Sequence, residues 1–238
     1  MAAGWCPDFT ARVFPLGDSR AKPFFNDLWS APVFTNKLSR REMLAVTAAL
    51  AISPLVLPGA ATAGRRTSNT TTLTVDETND LIFIREEEKL ARDVYLSLYD
   101  IWQTPVFATI AASEQQHMDA ILGLLNTYKI PDPTVDKLVG EFVNDELQDL
   151  YKELMEKGEK SAVEALVVGG IIEETDIEDL QSAMENTTVS NIDRVYSNLL
   201  NGSYNHLRAF ASNITAITGY PYVAQVVPQD VVDAILGN

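Results

Sequence analysis

Ala111-Ala112-Ser113-Glu114-Gln115-Gln116-His117-Met118 sets a carboxylate and an imidazole three residues apart within a run of helical apolar spacing. Residues three apart on a helix share a face, one turn from each other. The stripe through them is Ile110, Glu114, His117, Ile121, Leu124 and Tyr128. Its apolar members should point into a core, so Glu114 and His117 should point there too. Burying such groups is costly unless something compensates them. A divalent metal is the compensation that suits a carboxylate and an imidazole together.

Three other stretches repeat the pattern. A first helix capped by Asp76 or Thr78 and running to about Trp102 carries Leu81, Ile84, Glu88, Ala91, Tyr95, Leu98 and Trp102 on one face. The second helix starts near Pro105 and ends before Lys129-Ile130-Pro131-Asp132-Pro133. A shorter helical stretch follows, from about Asp145 to Lys157. Ser161 opens a third long helix to about Asn186, with the stripe Leu166, Gly169, Glu173, Asp176, Leu180 and Met184. Ser190 or Asn191 opens a fourth to about Thr218, with Val195, Leu199, Gly202, His206 and Phe210. Pro228 starts a last short helix through Leu236. No strand pattern interrupts Asp76 to Thr218. The predicted fold is all-α: a four-helix bundle with a short helical excursion between the second and third helices and a short C-terminal helix.

Each stripe is apolar at its ends and ionisable near its middle. Glu88, Glu114, Glu173 and Asp176 with His117 and His206, the chain's only two histidines, make four carboxylates and two imidazoles. This oxygen and nitrogen set suits iron, manganese or zinc, and carboxylates can bridge two ions. Two ions would neutralise most of the buried carboxylate charge. The competing reading of Glu88 is a solvated acidic turn with Glu86 and Glu87, and stripe position decides against it. The same criterion selects Glu173 over Glu174. Tyr95 reads as core with a hydroxyl able to reach the site. Asp93, Asp119, Arg92 and Arg208 read as surface residues or as supports of the ligands.

The chain carries 18 Lys and Arg against 33 Asp and Glu, a net charge of −15. That balance argues against nucleic acid or an anionic membrane as partner. The single cysteine, Cys6, precedes the bundle, which therefore has no thiolate ligand, disulfide or cysteine nucleophile. Ser39-Arg40-Arg41-Glu42-Met43-Leu44 resembles the twin-arginine export signal, with Met43 in place of the usual Phe. An apolar run to Leu57 and the small-residue exit Ala61-Thr62-Ala63 complete a signal-peptide pattern. An uncleaved membrane anchor is the alternative, but the run is short and contains Pro54. The expected organisation is a leader over 1–63, a flexible Ser/Thr-rich linker over 64–75 and a bundle over 76–238. The mature protein is expected outside the cytoplasm.

Glu88-Lys89-Leu90-Ala91-Arg92-Asp93-Val94-Tyr95-Leu96-Ser97 is similar to the first-helix ligand region of ferritins, where a metal-binding Glu precedes a Val-Tyr-Leu-Ser run. Glu114-Gln115-Gln116-His117 resembles the second-helix Glu-x-x-His of ferritins and rubrerythrins. These runs, with Ile172-Glu173-Glu174-Thr175-Asp176-Ile177-Glu178-Asp179-Leu180 and Asn205-His206-Leu207-Arg208-Ala209-Phe210, resemble a ferritin-like domain of unknown function from bacteria and archaea. The resemblance spans about Val75 to Thr218 and implies a carboxylate-bridged dimetal site. The chain departs from the rubrerythrin pattern at Ser203, three residues before His206, where that pattern has Glu. Asp176, on the neighbouring helix, is the expected replacement.

Three functions suit this reading. The first is a nonhaem dimetal, most simply diiron, redox protein acting on peroxide, dioxygen or ferrous iron. Without a rubredoxin-like cysteine cluster it would need an external electron donor. The second is metal binding or storage without turnover, in an assembly of several copies if a shell forms. The third is a structural bundle whose acids pair among themselves or with Arg.

Overall fold

The computed structural model describes residues 72–237, which form six helices and, among the described residues, no strand. They are α1 (Val75–Trp102), α2 (Pro105–Tyr128), α3 (Asp145–Gly158), α4 (Ala162–Asn186), α5 (Ser190–Thr218) and α6 (Gln229–Leu236). The expected leader, and the linker as far as residue 71, lie outside the described residues. No described helix is long and apolar enough to cross a membrane.

Local chemistry sets the helix ends. Thr74 caps α1: its hydroxyl accepts from the Glu77 N–H at 3.1 Å, and Glu77 accepts from the Thr74 N–H at 2.8 Å. This reciprocal pair satisfies two otherwise orphaned donors, so α1 begins ahead of the Asp76 or Thr78 cap expected from sequence. Pro105 opens α2, where its missing N–H costs nothing. Ser161 caps α4 by accepting from the Glu164 N–H. Gln103, in the left-handed region, and Thr104 are the whole connection between α1 and α2, so these helices run antiparallel.

Among the long helices, α1 packs against α2 and α4, and α5 packs against α4 and α2. Leu81, Ile84, Ile121, Leu125, Leu180 and Leu199 belong to an aliphatic core at one end. At the other end Tyr95, Phe107 and Phe210 pack with ring centroids 5.2–6.2 Å apart. Gly169 permits this packing, because a Cβ there would lie 2.4 Å from the Phe210 ring. The ionisable middle of each stripe falls between the two apolar layers.

Two segments cover charged faces that would otherwise be solvated. The α2–α3 connection lies along α1, where Arg85 grips Asp132 through two hydrogen bonds of 3.1 and 3.0 Å. Lys89 reaches the Leu138 carbonyl at 2.7 Å and pairs with Asp93, which also accepts from the Gly140 N–H at 3.0 Å. Glu86 accepts from the Val143 N–H at 2.6 Å. Glu86, Glu87 and Glu88 are consequently all buried, so they are no solvated acidic turn. The C-terminal segment folds back on α4 in the same way. Glu174 accepts from Tyr222 Oη at 2.6 Å and from the Val226 and Val227 N–H groups at 2.6 and 2.9 Å. The short helices extend this cover: α3 packs on α1 and α4, and α6 packs on α5.

Candidate metal centre

The six ligand-type residues come from all four long helices: Glu88 from α1, Glu114 and His117 from α2, Glu173 and Asp176 from α4, and His206 from α5. All six are buried. Five of them form two groups that can each hold a metal ion. One is Glu88, Glu114 and His117; the other is Glu114, Glu173 and His206. In each group the candidate donor atoms lie within 4.8 Å of one another. Glu114 belongs to both. Asp176 belongs to neither, although its charge acts on Glu88 and the Glu173 charge acts on it.

Both imidazoles turn Nδ1 toward the carboxylates. His117 Nδ1 lies 2.8 Å from Glu114 Oε2 and 3.1 Å from Glu88 Oε2. His206 Nδ1 lies 2.8 Å from Glu114 Oε1 and 3.4 Å from Glu173 Oε2. The rings stack with centroids 5.4 Å apart. The 2.8 Å approach of His206 Nδ1 to Glu114 Oε1 is not aligned as a hydrogen bond, and both atoms stay without one. Glu88 Oε1 and Asp176 Oδ1 are likewise buried without a hydrogen-bond partner. Orphaned donors of this kind are costly in a protein interior, and their types fit a divalent transition metal.

The charge balance follows from this geometry. Burial acts to raise the Glu114 pKa, but the imidazoles of His117 and His206, each 2.8 Å away, outweigh it and hold the carboxyl down at about 2. Burial also opposes charge on His117. The Glu88 charge and the bonds to Glu114 and Glu88 overcome it and push the imidazole up to about 12. His206 rises to about 10, against burial, through Glu173 and Glu114. Glu88 is pushed well up by burial and by Asp176, and Glu173 is pushed up by burial and by Glu114. Burial and Glu173 bring Asp176 to about 7. The push of Glu88 toward its neutral form works against the protonation of His117, which draws on the Glu88 charge. Glu114 resolves this, since it stays ionised and faces both imidazoles. Without a cation, then, the cluster balances itself with protons.

Supporting contacts complete the site. Tyr95 Oη donates to Glu173 Oε1 at 2.6 Å, the reach its stripe position allowed. Ser203 donates to Asp176 Oδ2 and so orients this neighbouring carboxylate. Ser113 Oγ lies 2.9 Å from His206 Nε2, where it can accept the Nε2–H and leave Nδ1 directed at Glu114 and Glu173. Sequence reasoning missed Ser113, although it stands one turn before His117 on the same face. It also missed Gly202, where a Cβ would lie 2.5 Å from His117 Nε2. Asp93 is fully buried in the Lys89 and Arg92 network, not at the surface. Arg92 is half-buried, whereas Asp119 and Arg208 are exposed.

Comparison with known proteins adds a family. Residues 77–238 match the family described as Uncharacterized protein domain (DUF2202). The chain is 46% identical over 163 residues to Uncharacterized protein MJ0754 of Methanocaldococcus jannaschii, covering 68% of this chain and 88% of that one. It is also similar to the crystal structure of hypothetical protein MJ0754 from Methanococcus jannaschii DSM 2661. The TM-score is 0.68 at 42% identity, over 75% of this chain and 98% of that one.

Proposed function

The chain belongs to the DUF2202 family, and we propose that it is a ferritin-like four-helix bundle holding two divalent metal ions bridged by Glu114. Glu88 and His117 would complete one ion's protein ligands, and Glu173 and His206 the other's. Asp176, held by Ser203, would stand beside the pair as a further oxygen donor. The single observation that carries this reading is the sharing of Glu114 between two buried groups in which Glu88 Oε1, Glu114 Oε1 and His206 Nδ1 lack hydrogen bonds. Glu174, elsewhere in the same chain, shows the contrasting structural arrangement, with both of its oxygens against donors.

Iron is the favoured metal, with manganese and zinc as alternatives. A bound pair of redox-active ions supplies two electrons together, enough to reduce peroxide to two waters as two protons are taken up. The protein's own part is to hold the donors in place, keep Glu114 ionised and exclude bulk water. An external donor would return the electrons. The leader supports export by the twin-arginine route, which carries folded cargo and so allows metal loading inside the cell.

The test is metal analysis of the purified protein, followed by anaerobic titration with ferrous iron and then exposure to peroxide or dioxygen. About two ions per chain and oxidation on exposure support the full reading. Two ions without oxidation would leave a metal-binding protein with no turnover. A protein that binds none would be the structural bundle.

A further inference from the structure

The five residues of the two candidate groups are not equally buried. Glu88, Glu114 and Glu173 are 1, 2 and 1% exposed, whereas His117 and His206 are 9 and 7% exposed. Among these five, water therefore meets the imidazoles, on α2 and α5. The other sides carry extra cover. The α2–α3 connection and α3 lie on α1, α3 also packs on α4, and Glu174 ties the C-terminal segment to α4. Neither short helix packs on α2, and α6 meets α5 alone. Arg208 binds the Ile235 carbonyl there, and its neighbour one turn earlier, Tyr204, bonds to Gln181 of α4. That contact puts α6 on the α4 side of α5.

The seam between α2 and α5 is built reciprocally. Ser113, four residues before His117, contacts His206. Gly202, four residues before His206, abuts His117. Each imidazole is thus seated against a small residue of the opposite helix. Both small residues are half-buried, and the residues flanking them, Ala112 and Asn201, are exposed. Just inside lie His206 Nδ1 and Glu114 Oε1, both more than nine-tenths buried and without hydrogen bonds. A longer side chain at either position would stand between solvent and these donors.

We propose that metal ions reach the buried carboxylates through the α2–α5 seam, between Ser113 and Gly202 and past the imidazole edges. Ser113 and Gly202 are then residues that control access, and Ser113 also positions His206. This inference rests on the proposed metal centre. The experiment separates the two by reading the rate of uptake apart from its extent.

The full chain carries one cysteine, Cys6. A Ser113→Cys variant can be folded first and then capped at sulfur with methyl, ethyl or benzyl thiosulfonates. Ala112→Cys, one residue away and exposed, is the reference, and the unsubstituted chain controls for Cys6. Cobalt(II) uptake is followed by absorbance in stopped flow, and final occupancy by metal analysis. Capping at position 113 should slow uptake in order of cap size, by about tenfold or more for benzyl, because a close-packed seam has no spare volume. Capping at 112 should leave the rate within about twofold. Bound cobalt should in turn shield the thiol at 113, but not at 112, from the reagent. If Ser113→Cys does not fold, Ser113→Thr, which keeps the hydroxyl and adds one methyl, should slow uptake without lowering final occupancy. Equal rates for all caps at 113 would overturn the route while leaving the metal centre standing. An unsubstituted chain that takes up no cobalt would overturn both.

Discussion

Replacing Glu114 by Gln is the most exacting test of the centre, because this one carboxylate faces both imidazoles at 2.8 Å. The substitution keeps the shape and removes the charge. In metal-free protein His117 and His206 are held protonated up to about 12 and about 10. Glu114→Gln leaves these two cations buried beside Glu88, Glu173 and Asp176, all of them pushed toward the neutral form. Removing one partner of a buried ion pair costs about 3–5 kcal/mol. Part of this is recovered if an imidazole gives up its proton, so the lower end is expected. For a domain of this size the melting temperature of chelator-treated protein should fall by roughly 6–20 °C. The metal readout is sharper. Glu88→Ala and Glu173→Ala should each lose one ion per chain, whereas Glu114→Gln should lose both. Differential scanning calorimetry and metal analysis on the same preparations make the comparison. A Glu114→Gln protein that still binds two ions, or melts within about 2 °C of the parent, refutes the shared-ligand reasoning.

Other expectations follow from the same geometry. Metal binding should release protons at pH 7, since both imidazoles must shed theirs to ligate, so affinity should rise with pH; calorimetry in buffers of different ionisation enthalpy reads the proton count. Burial and Glu173 raise the folded Asp176 carboxyl from its ordinary 3.8 to about 7. Its contribution is fully present below about 3.8 and lost as pH rises through about 7, so metal-free protein should melt lower at pH 8.5 than at pH 5.5. Gly202→Ala puts a Cβ 2.5 Å from His117 Nε2 and should displace that ring, costing about 1–3 kcal/mol of stability and the ion held by Glu88 and His117. The His206 half should stay occupied, which metal analysis per chain would show. Replacing Arg40 and Arg41 by Lys should strand uncleaved precursor in the cytoplasm, and normal export detected by fractionation would end the twin-arginine reading.

Helix periodicity is a local property, so the sequence alone determined the six helices and the faces they bury. Proline and glycine placed most of the breaks, and Ser161 was legible as a cap because its side chain serves its own helix. Glu88, Glu114, His117, Glu173, Asp176 and His206 stood out because each interrupts an apolar stripe. Stripe position also separated Glu173, which turns to His206, from Glu174, which holds the C-terminal segment. Contacts between elements distant in the chain carry no period and were decided by the tertiary structure alone. Glu86 and Asp93 look like surface charges until the α2–α3 connection supplies their donors from about fifty residues away. Ser113 and Gly202 are ordinary small residues on their own helices, and they acquire a role only where the opposite helix brings an imidazole against them. The sharing of Glu114 was equally out of reach, because it depends on where α5 sets His206 relative to α2. A stripe tells which side chains point inward, but only the packing of one helix on another tells which of them meet.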